Sequence, residues 1–177
     1  MGLNGYNSSP GKLRLQCPQP PPIPNSLSAK CKVNVSACPK GWVPFGKSCY
    51  LVINIRTLKW SDARRTCQNL GGDLAVVKTS AENKFIYALM KKQKTVTNWG
   101  LWLGLYQKAD DKYYWIDGTP LAGRYSKCLS GEPNHPGKER CINMYGTVGH
   151  GNWNDLSCEV KTHYFQYAPS TLCQKVR

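Results

Sequence analysis

The sequence predicts an α+β fold with two helices, small antiparallel sheets and a long loop region. Apolar residues recur at helical spacing in two segments, residues 57–72 and 79–90, and later segments do not repeat this pattern. Short apolar and aromatic runs then alternate with Gly, Asp and Pro turns, which is typical of antiparallel strands. A length of 177 residues, 41% of them hydrophobic, suits one domain of about 100–150 residues with an extension.

Composition divides the chain near Cys38. Residues 1–37 contain the run CPQPPPIP, whose prolines favour polyproline II, and we interpret these residues as a tail or linker. Asn-x-Ser triplets at Asn7 and Asn34 make both asparagines candidate glycosylation sites. Residues 38–177 are dense in aromatic and turn residues and form the predicted domain.

The first part of this domain supplies a strand and both helices. The run SCYLVI predicts a strand, and the segment TLKWSDARRTCQNLGG predicts a helix that ends at a glycine pair suited to a C-cap. Thr79 and Glu82 form the S/T-x-x-E capping box of the second helix. The predicted apolar face of the second helix consists of Phe85, Ile86, Leu89 and Met90.

The second part supplies strands and the long loop. The predicted strands are WGLWLGLY, KYYWID, CINMY and TLCQKV. Among them, residues 118–140 carry little strand or helix pattern. A loop of this length inside a compact domain tends to be functional or disordered, so this loop is the first candidate for a functional segment.

The cysteines predict an oxidising compartment. Nine cysteines without a repeated C-x-x-C pair indicate a disulfide framework rather than a zinc site. No apolar run approaches the roughly 18 residues that span a bilayer, so we expect no membrane insertion. The amino terminus has no apolar leader segment, and we expect a secreted, extracellular protein whose leader was cleaved, truncated or replaced.

The charge of the chain is strongly basic. A formal net charge of +14 is compatible with nucleic acid, an anionic membrane or an acidic polysaccharide as a partner. The lysines and arginines are scattered rather than grouped in blocks, which favours a solvated basic surface. We therefore expect no nucleic-acid partner.

The long loop and a later segment contain five side chains that offer oxygen as a ligand atom. They are Glu132, Asn134, Glu139, Asn154 and Asp155. Calcium takes about 6–8 oxygen ligands, whereas zinc prefers nitrogen and sulfur. The motif EPN or WND alone is more often ordinary turn chemistry, but the two together predict one calcium site.

Two covalent features would support this site. Cys141 and Cys158 bracket the Asn154–Asp155 pair, and a bridge between them would close a loop that stabilises the fold by about 3 kcal/mol. Pro133 follows Glu132, and a cis bond there would turn the neighbouring side chains toward one point, although sequence does not reveal the isomer. Glu132 and Asp155 are both expected on loops outside the core.

The alternation of glutamate and asparagine indicates a sugar ligand. A carboxylate only accepts hydrogen bonds, whereas an amide whose oxygen binds a metal still has an NH2 group to donate. A hydroxyl can therefore donate to the glutamate, accept from the asparagine and bind calcium. Two couples, Glu132 with Asn134 and Glu139 with Asn154, would hold two adjacent hydroxyls, so the five calcium ligands, Asp155 included, are also the predicted carbohydrate-binding residues.

Residues 38–177 resemble the C-type lectin-like domain, in its long form with an extra amino-terminal disulfide. The matching motifs are CPKGWVPFGKSCY, WSDARRTCQNLGGDLAVV, WLGL, GEPN, ERC, GNWNDLSC and TLCQ. The resemblance implies the C-type lectin-like fold, and the five calcium ligands in the version that goes with mannose, fucose and N-acetylglucosamine. It implies that Trp153 packs beneath the site. The implied disulfides are Cys38–Cys49, Cys67–Cys173 and Cys141–Cys158.

The chain also departs from the family pattern. An auxiliary calcium site needs acidic residues where this chain has His135 and Arg140, so we expect that site to be absent. Cys128 stands where the family usually has tryptophan; it pairs with Cys17 or Cys31, bridges two chains or stays free. The segment EVKTHYFQYAPSTL is longer than the usual spacing between the last two cysteines.

The sequence thus predicts a calcium-dependent lectin that binds mannose-type glycans with adjacent equatorial hydroxyls on cells or microbes, as in innate immunity. The alternative is a protein-binding or adhesion module on the same fold, with calcium as a structural brace. We expect no catalysis, because His135, His150 and His163 stand at no spacing that suggests a nucleophile and base. One shallow site binds weakly, so we expect a homo-oligomer, either non-covalent or linked through Cys17, Cys31 or Cys128.

Overall fold

The structure is a computed structural model that describes residues 37–93 and 99–177. The predicted tail, with Asn7, Asn34 and two of the cysteines, lies outside the described residues, so its boundary and its glycosylation sites remain predictions. The described residues form two α-helices, one 3-10 helix and eight strands. None of the described helices has the length and the apolar character that crossing a membrane requires.

The two ends of the domain pair with each other. Strand β1 (Val43–Phe45) and strand β2 (Ser48–Ile53) form an antiparallel hairpin. The last strand of the domain, Ser170–Val176, pairs antiparallel with β2. The strand predicted from SCYLVI is therefore confirmed, and it joins the last strand in the sheet.

Helix α1 (Trp60–Asn69) follows the hairpin and buries Trp60, Ala63 and Cys67. The amide of Gly71 donates to the carbonyl of Gln68 over 2.9 Å, and Gly71 has a φ of +74°. Glycine adopts this left-handed conformation without a steric penalty, which confirms the predicted glycine C-cap. The short strand β3 (Asp73–Leu74) comes directly after this turn.

Helix α2 (Ser80–Lys92) begins at the predicted capping box. The Thr79 hydroxyl accepts from the amide of Glu82 over 3.1 Å, and the Glu82 carboxylate accepts from the amide of Lys78 over 2.9 Å. Ile86, Leu89 and Met90 are buried as predicted, while Phe85 is only partly buried. The same face also buries Asn83.

Four further strands carry the central part of the sheet. They are β4 (Leu101–Gln107), β5 (Tyr113–Trp115), β6 (Cys141–Met144) and β7 (Trp153–Leu156). With the last strand numbered β8, the order is β1-β2-β8-β4-β6-β7, while β3 pairs with β8 and β5 with β4. The predicted α+β fold class is confirmed, with one difference: the strands join in one sheet, in which β4 is parallel to β8, instead of forming several small antiparallel sheets. Short apolar runs predict that strands exist and carry no information about their partners.

A 3-10 helix, Thr162–Tyr167, lies in the long segment between the last two cysteines. The sequence did not predict it, because all of its residues are exposed and no apolar periodicity marks it. The structure also contains the three disulfides that the family resemblance implies. These are Cys38–Cys49, Cys67–Cys173 and Cys141–Cys158.

Candidate functional site

The long loop between β5 and β6 is held against strand β7. The Trp153 amide donates to the carbonyl of Lys127 over 2.7 Å, and the amide of Leu129 donates to the carbonyl of Trp153 over 2.9 Å. Because of this short parallel pairing, the loop lies alongside the WND motif. It brings Glu132 and Asn134 to Asp155, although these residues are far apart in sequence.

Asp155 is the anchor of the loop. Its side chain is fully buried, with 0% of the residue exposed. One carboxylate oxygen accepts from the amide of Asn134 over 3.1 Å, and the other accepts from the amide of His135 over 3.0 Å. The expectation that Asp155 lies on a loop outside the core is wrong: the WND segment pairs with β6 and so forms a buried strand.

Glu132 lies next to Asp155 with one oxygen paired and one unpaired. Its Oε1 accepts from the side-chain amide of Asn134 over 3.1 Å, and the Glu132–Pro133 bond is cis. Its Oε2 is buried and has no hydrogen-bond partner. Burial, together with the adjoining Asp155 carboxylate, raises the pKa of Glu132 to about 7. Burial and a neighbouring carboxylate both disfavour the charged form of a carboxyl group.

Glu139 belongs to the same acidic neighbourhood but has a different partner. Its carboxylate lies 3.5 Å from Nδ1 of His135. Burial and then the charge of Asp155 raise the pKa of Glu139. Burial, followed by the charges of Glu132, Glu139 and Asp155, also raises the pKa of Tyr145. The three predicted carboxylate ligands therefore share one electrostatic neighbourhood.

Asn154 is held by strand β6. It is 5% exposed, and its Nδ2 donates to Oδ1 of Asn143 over 3.1 Å and to the carbonyl of Asp155. Each predicted couple needs a sugar hydroxyl between its two side chains, so both couples remain predictions. The structure shows Glu132 and Asn134 side by side, whereas Asn154 donates to strand β6. The sequence did not indicate that β6 supplies Asn143 as an acceptor for Asn154.

Trp153, which the family resemblance implies to pack beneath the site, is buried directly before Asn154 on strand β7. It is 0% exposed, and its ring meets the ring of Trp115 edge-on at 5.5 Å. Its Nε1 donates to Oδ1 of Asn83 over 2.8 Å, and the Asn83 Nδ2 donates to the carbonyl of Gly151 over 3.1 Å. Asn83 therefore ties the site to helix α2. Sequence reasoning missed it, although a polar residue three positions before Ile86 on an apolar helix face was the available signal.

Two further side chains border the carboxylates. The Tyr113 hydroxyl is buried without a hydrogen-bond partner, and burial, then Asp155, raises the pKa of Tyr113 to about 12. Cys128 is half-buried and forms no disulfide within the described residues. Burial, then the charges of Asp155 and Glu132, raises the pKa of the Cys128 thiol. Its predicted partners Cys17 and Cys31 lie outside the described residues.

The donor set suits a hard cation better than a soft one. Across residues 37–93 and 99–177, no group of three or more His, Cys, Asp or Glu side chains is arranged to hold a metal ion by itself. A calcium site, however, also uses amide and backbone oxygens. Glu132 Oε2 is a buried acceptor without a donor, while Oε1 of the same side chain accepts from Asn134 and the Asp155 carboxylate adjoins it. These residues fit an oxygen-ligated cation.

The fold and this site match a known family. Residues 56–165 match the model of the Lectin C-type domain. That match covers more than half of the 177 residues, and the chain therefore belongs to the C-type lectin domain family.

Curated relatives belong to the same family. The chain is 32% identical over 139 residues to CD209 antigen-like protein A of Mus musculus. The matched segment covers 77% of this chain and 54% of the relative. It is 32% identical over 135 residues to C-type lectin domain family 4 member M of Nomascus concolor. The matched segment covers 75% of this chain and 32% of the relative. The chain thus spans between about a third and about half of the length of these relatives.

Solved structures share the fold. The C-type lectin domain of murine dendritic cell inhibitory receptor 2, in complex with N-glycan, is 28% identical with a TM-score of 0.64, covering 80% of this chain and 100% of that one. The cow CD23 domain, in the presence of a GlcNAc2Man3 oligosaccharide, is 31% identical with a TM-score of 0.64. The match covers 80% of this chain and 97% of that one. A calcium-independent type II antifreeze protein is 27% identical with a TM-score of 0.63. The match covers 79% of this chain and 95% of that one.

Proposed function

We propose that this chain is a calcium-dependent carbohydrate-recognition domain that binds mannose-type sugars. The observation that carries the proposal is the buried, unpartnered Oε2 of Glu132, which lies beside the buried carboxylate of Asp155. Buried polar atoms in native proteins nearly always have a partner, and a calcium ion is the partner that oxygen ligands of this kind take. Burial and the neighbouring Asp155 carboxylate raise the pKa of Glu132 to about 7, and a bound cation would offset the repulsion between these two carboxylates.

The proposed calcium ligands fall into two groups. Glu132, Asn134 and Asp155 are already joined by hydrogen bonds and form the core of the site. Glu139 and Asn154 complete the set, as the motif implies. Bound calcium would accept lone pairs of sugar hydroxyls and offset the negative charge of the three carboxylates. The chain itself supplies the hydrogen-bond donors and acceptors that decide which hydroxyls fit.

The preference for mannose, fucose and N-acetylglucosamine is part of the proposal. The Glu132–Asn134 couple, with 3.1 Å between the amide nitrogen and the carboxylate, offers one acceptor and one donor to a hydroxyl. Two solved structures of similar domains support a glycan ligand: one is a complex with N-glycan, and the other contains the domain in the presence of a GlcNAc2Man3 oligosaccharide. The three disulfides support an extracellular location, because such bonds persist in oxidising compartments.

A glycan array with and without calcium tests this function. Wild-type protein should bind mannose-terminated glycans in calcium and lose them in EDTA. Glu132→Ala should abolish the signal, because it removes the unpartnered carboxylate. Asp62→Ala is the matched control, since Asp62 is an α1 carboxylate paired with Arg65 at 2.8 Å and lies outside the loop. Unchanged binding by Glu132→Ala would contradict the proposed site.

A second function is a protein-binding or adhesion module with calcium as a structural brace. One observation favours it: Tyr164 and Phe165 are 49% and 46% exposed on the 3-10 helix. Exposed aromatic side chains are enriched in protein interfaces. Retention on mannose-agarose that EDTA reverses supports the lectin, whereas a calcium-loaded protein that passes through the column supports the module.

A further inference from the structure

A cavity of about 350 Å³ lies beside the proposed calcium site. Glu139, one of the proposed calcium ligands, forms part of its wall. Its apolar walls consist of Trp99, Tyr164, Tyr167, Leu156 and Val160. The volume falls within the range of about 300–1,000 Å³ that small-ligand pockets occupy.

Three aromatic rings make one wall of this cavity. The rings of Trp99 and Tyr167 meet edge-on with their centroids 5.2 Å apart, and those of Tyr164 and Tyr167 are 5.8 Å apart. Tyr164 and Tyr167 are 49% and 39% exposed, so a ligand can reach their faces. The rings hold one another in place, so the wall is formed before any ligand binds.

A chain of hydrogen bonds joins this wall to the proposed calcium site. Asn154 Nδ2 donates to Oδ1 of Asn143 over 3.1 Å, and Asn143 Nδ2 donates to the carbonyl of Trp99 over 2.7 Å. Leu156 follows Asp155 directly on strand β7 and lines the cavity. The cavity and the site are therefore built on the same strands and have a fixed relation to each other.

We propose that this cavity is a subsite for the second pyranose of an oligosaccharide whose terminal residue is held at the proposed calcium site. The inference rests on the proposed function and names the length of glycan that the same site takes. A pyranose has an apolar face of C–H groups, which the electron-rich faces of aromatic rings attract. Its hydroxyl edge would meet the polar side chains of the lining, which include Glu139, Ser157 and Lys161.

The polar side chains of the lining favour a sugar over an apolar aglycone as the ligand of this cavity. An alkyl or aryl group would fill the aromatic wall but would offer no hydrogen bond to the carboxylate, hydroxyl and ammonium groups of the lining. A second sugar satisfies both parts of the lining. Binding sites for polar ligands commonly combine an apolar wall with a few polar groups in this way.

Titration calorimetry in saturating calcium tests the subsite with mannose and a panel of mannose disaccharides that differ in linkage. At least one disaccharide should bind about 3–10-fold more tightly than mannose, which is the effect expected from stacking on aromatic rings. A double variant, Tyr164→Ala with Tyr167→Ala, should remove this gain and leave the affinity for mannose unchanged. The corresponding double change to Phe should keep most of the gain.

Phe165→Ala is the matched control. Phe165 belongs to the same 3-10 helix and is 46% exposed, but it packs against Arg56. Its removal should change neither affinity. A second measurement is the NMR signal of the Trp99 indole N–H, assigned with Trp99→Phe, which should shift with the disaccharide and stay in place with mannose.

Each remaining outcome has a distinct meaning. If mannose binds in calcium and no disaccharide gains, or if the gain survives in the Tyr164→Ala, Tyr167→Ala protein, the subsite is overturned and the proposed function stands. If octyl mannoside gains more than every disaccharide, the cavity takes an apolar group and the sugar subsite is wrong. If neither mannose nor any disaccharide binds in calcium, both the proposed function and the subsite fail.

Discussion

The backbone amide of Asn134 donates to Oδ1 of Asp155 over 3.1 Å, across 21 positions of sequence. The amide of the next residue, His135, donates to the other oxygen of the same carboxylate over 3.0 Å. One buried side chain therefore fixes the backbone of the loop that carries Glu132 and Asn134. The shape of the proposed calcium site depends on a group that is also a proposed ligand.

Asp155→Asn should weaken both the site and the fold. An asparagine side chain keeps the shape but has only one acceptor oxygen, so one of the two loop amides loses its partner. We expect calcium affinity to fall by a factor of about 10 or more, and the free energy of unfolding in EDTA to fall by about 1–3 kcal/mol. Calorimetry and urea unfolding measure the two effects. Asp62→Asn, which alters a carboxylate on helix α1, should change neither, and an equal effect there would contradict the role given to Asp155.

Exchanging the donor and acceptor at the first couple should change sugar preference. The double variant Glu132→Gln with Asn134→Asp keeps two oxygens for calcium but reverses which position accepts and which donates. The ratio of mannose binding to galactose binding should shift toward galactose, as read on one glycan array. Calcium affinity, measured on the same protein, is the control. If calcium still binds and the ratio stays the same, the hydrogen-bond argument is wrong.

Removal of the Cys141–Cys158 disulfide should destabilise the domain. The two cysteines are 17 positions apart, and the bond joins the start of β6 to the residues that follow β7. Cys141→Ser with Cys158→Ser should lower the free energy of unfolding by about 3 kcal/mol, because the unfolded chain loses a constraint. Ser130→Ala, an exposed change on the loop before β6, is the control and should change it by less than about 0.5 kcal/mol. Equal losses in the two proteins would show that the disulfide does not brace the site.

The cap of helix α2 should contribute to stability and not to sugar binding. Thr79→Ala removes the hydroxyl that accepts from the amide of Glu82 over 3.1 Å. We expect a loss of about 1 kcal/mol in the free energy of unfolding, measured by urea titration, with unchanged affinity for mannose. Thr79→Ser keeps the hydroxyl and should recover most of the loss. Loss of sugar binding in the Thr79→Ala protein would mean that helix α2 positions the site more directly than its contacts indicate.

The two helices and five of the strands could be predicted because each has a local signal, whereas β1, β3 and β7 were not predicted. The capping box at Thr79 and the glycine C-cap near Gly71 depend on neighbouring residues, so the sequence contains the full information. The parallel pairing of β4 with β8 and the single connected sheet depend on contacts between distant segments. The exposed 3-10 helix, Thr162–Tyr167, has no buried face and so no periodic pattern.

The residue types of the candidate site could be predicted from the sequence. Their burial and their hydrogen-bond partners could not. The motif placed Glu132, Asn134 and Asp155 together, because the family resemblance adds long-range information that spacing lacks. It did not indicate that Asp155 is buried, or that Asn143 takes the side-chain amide of Asn154. Both facts follow from the pairing of β6 with β7, which no local pattern specifies.

Calorimetry with mannose, in saturating calcium and again in EDTA, shows whether sugar binding depends on a calcium ion. We expect a dissociation constant in the millimolar range with calcium, which corresponds to about −4 kcal/mol, and no measurable binding in EDTA. The Glu132→Ala protein should give no binding in either condition. Equal affinity for mannose with and without calcium, or no binding by the calcium-loaded wild type, would mean that these residues do not form a calcium-dependent mannose site.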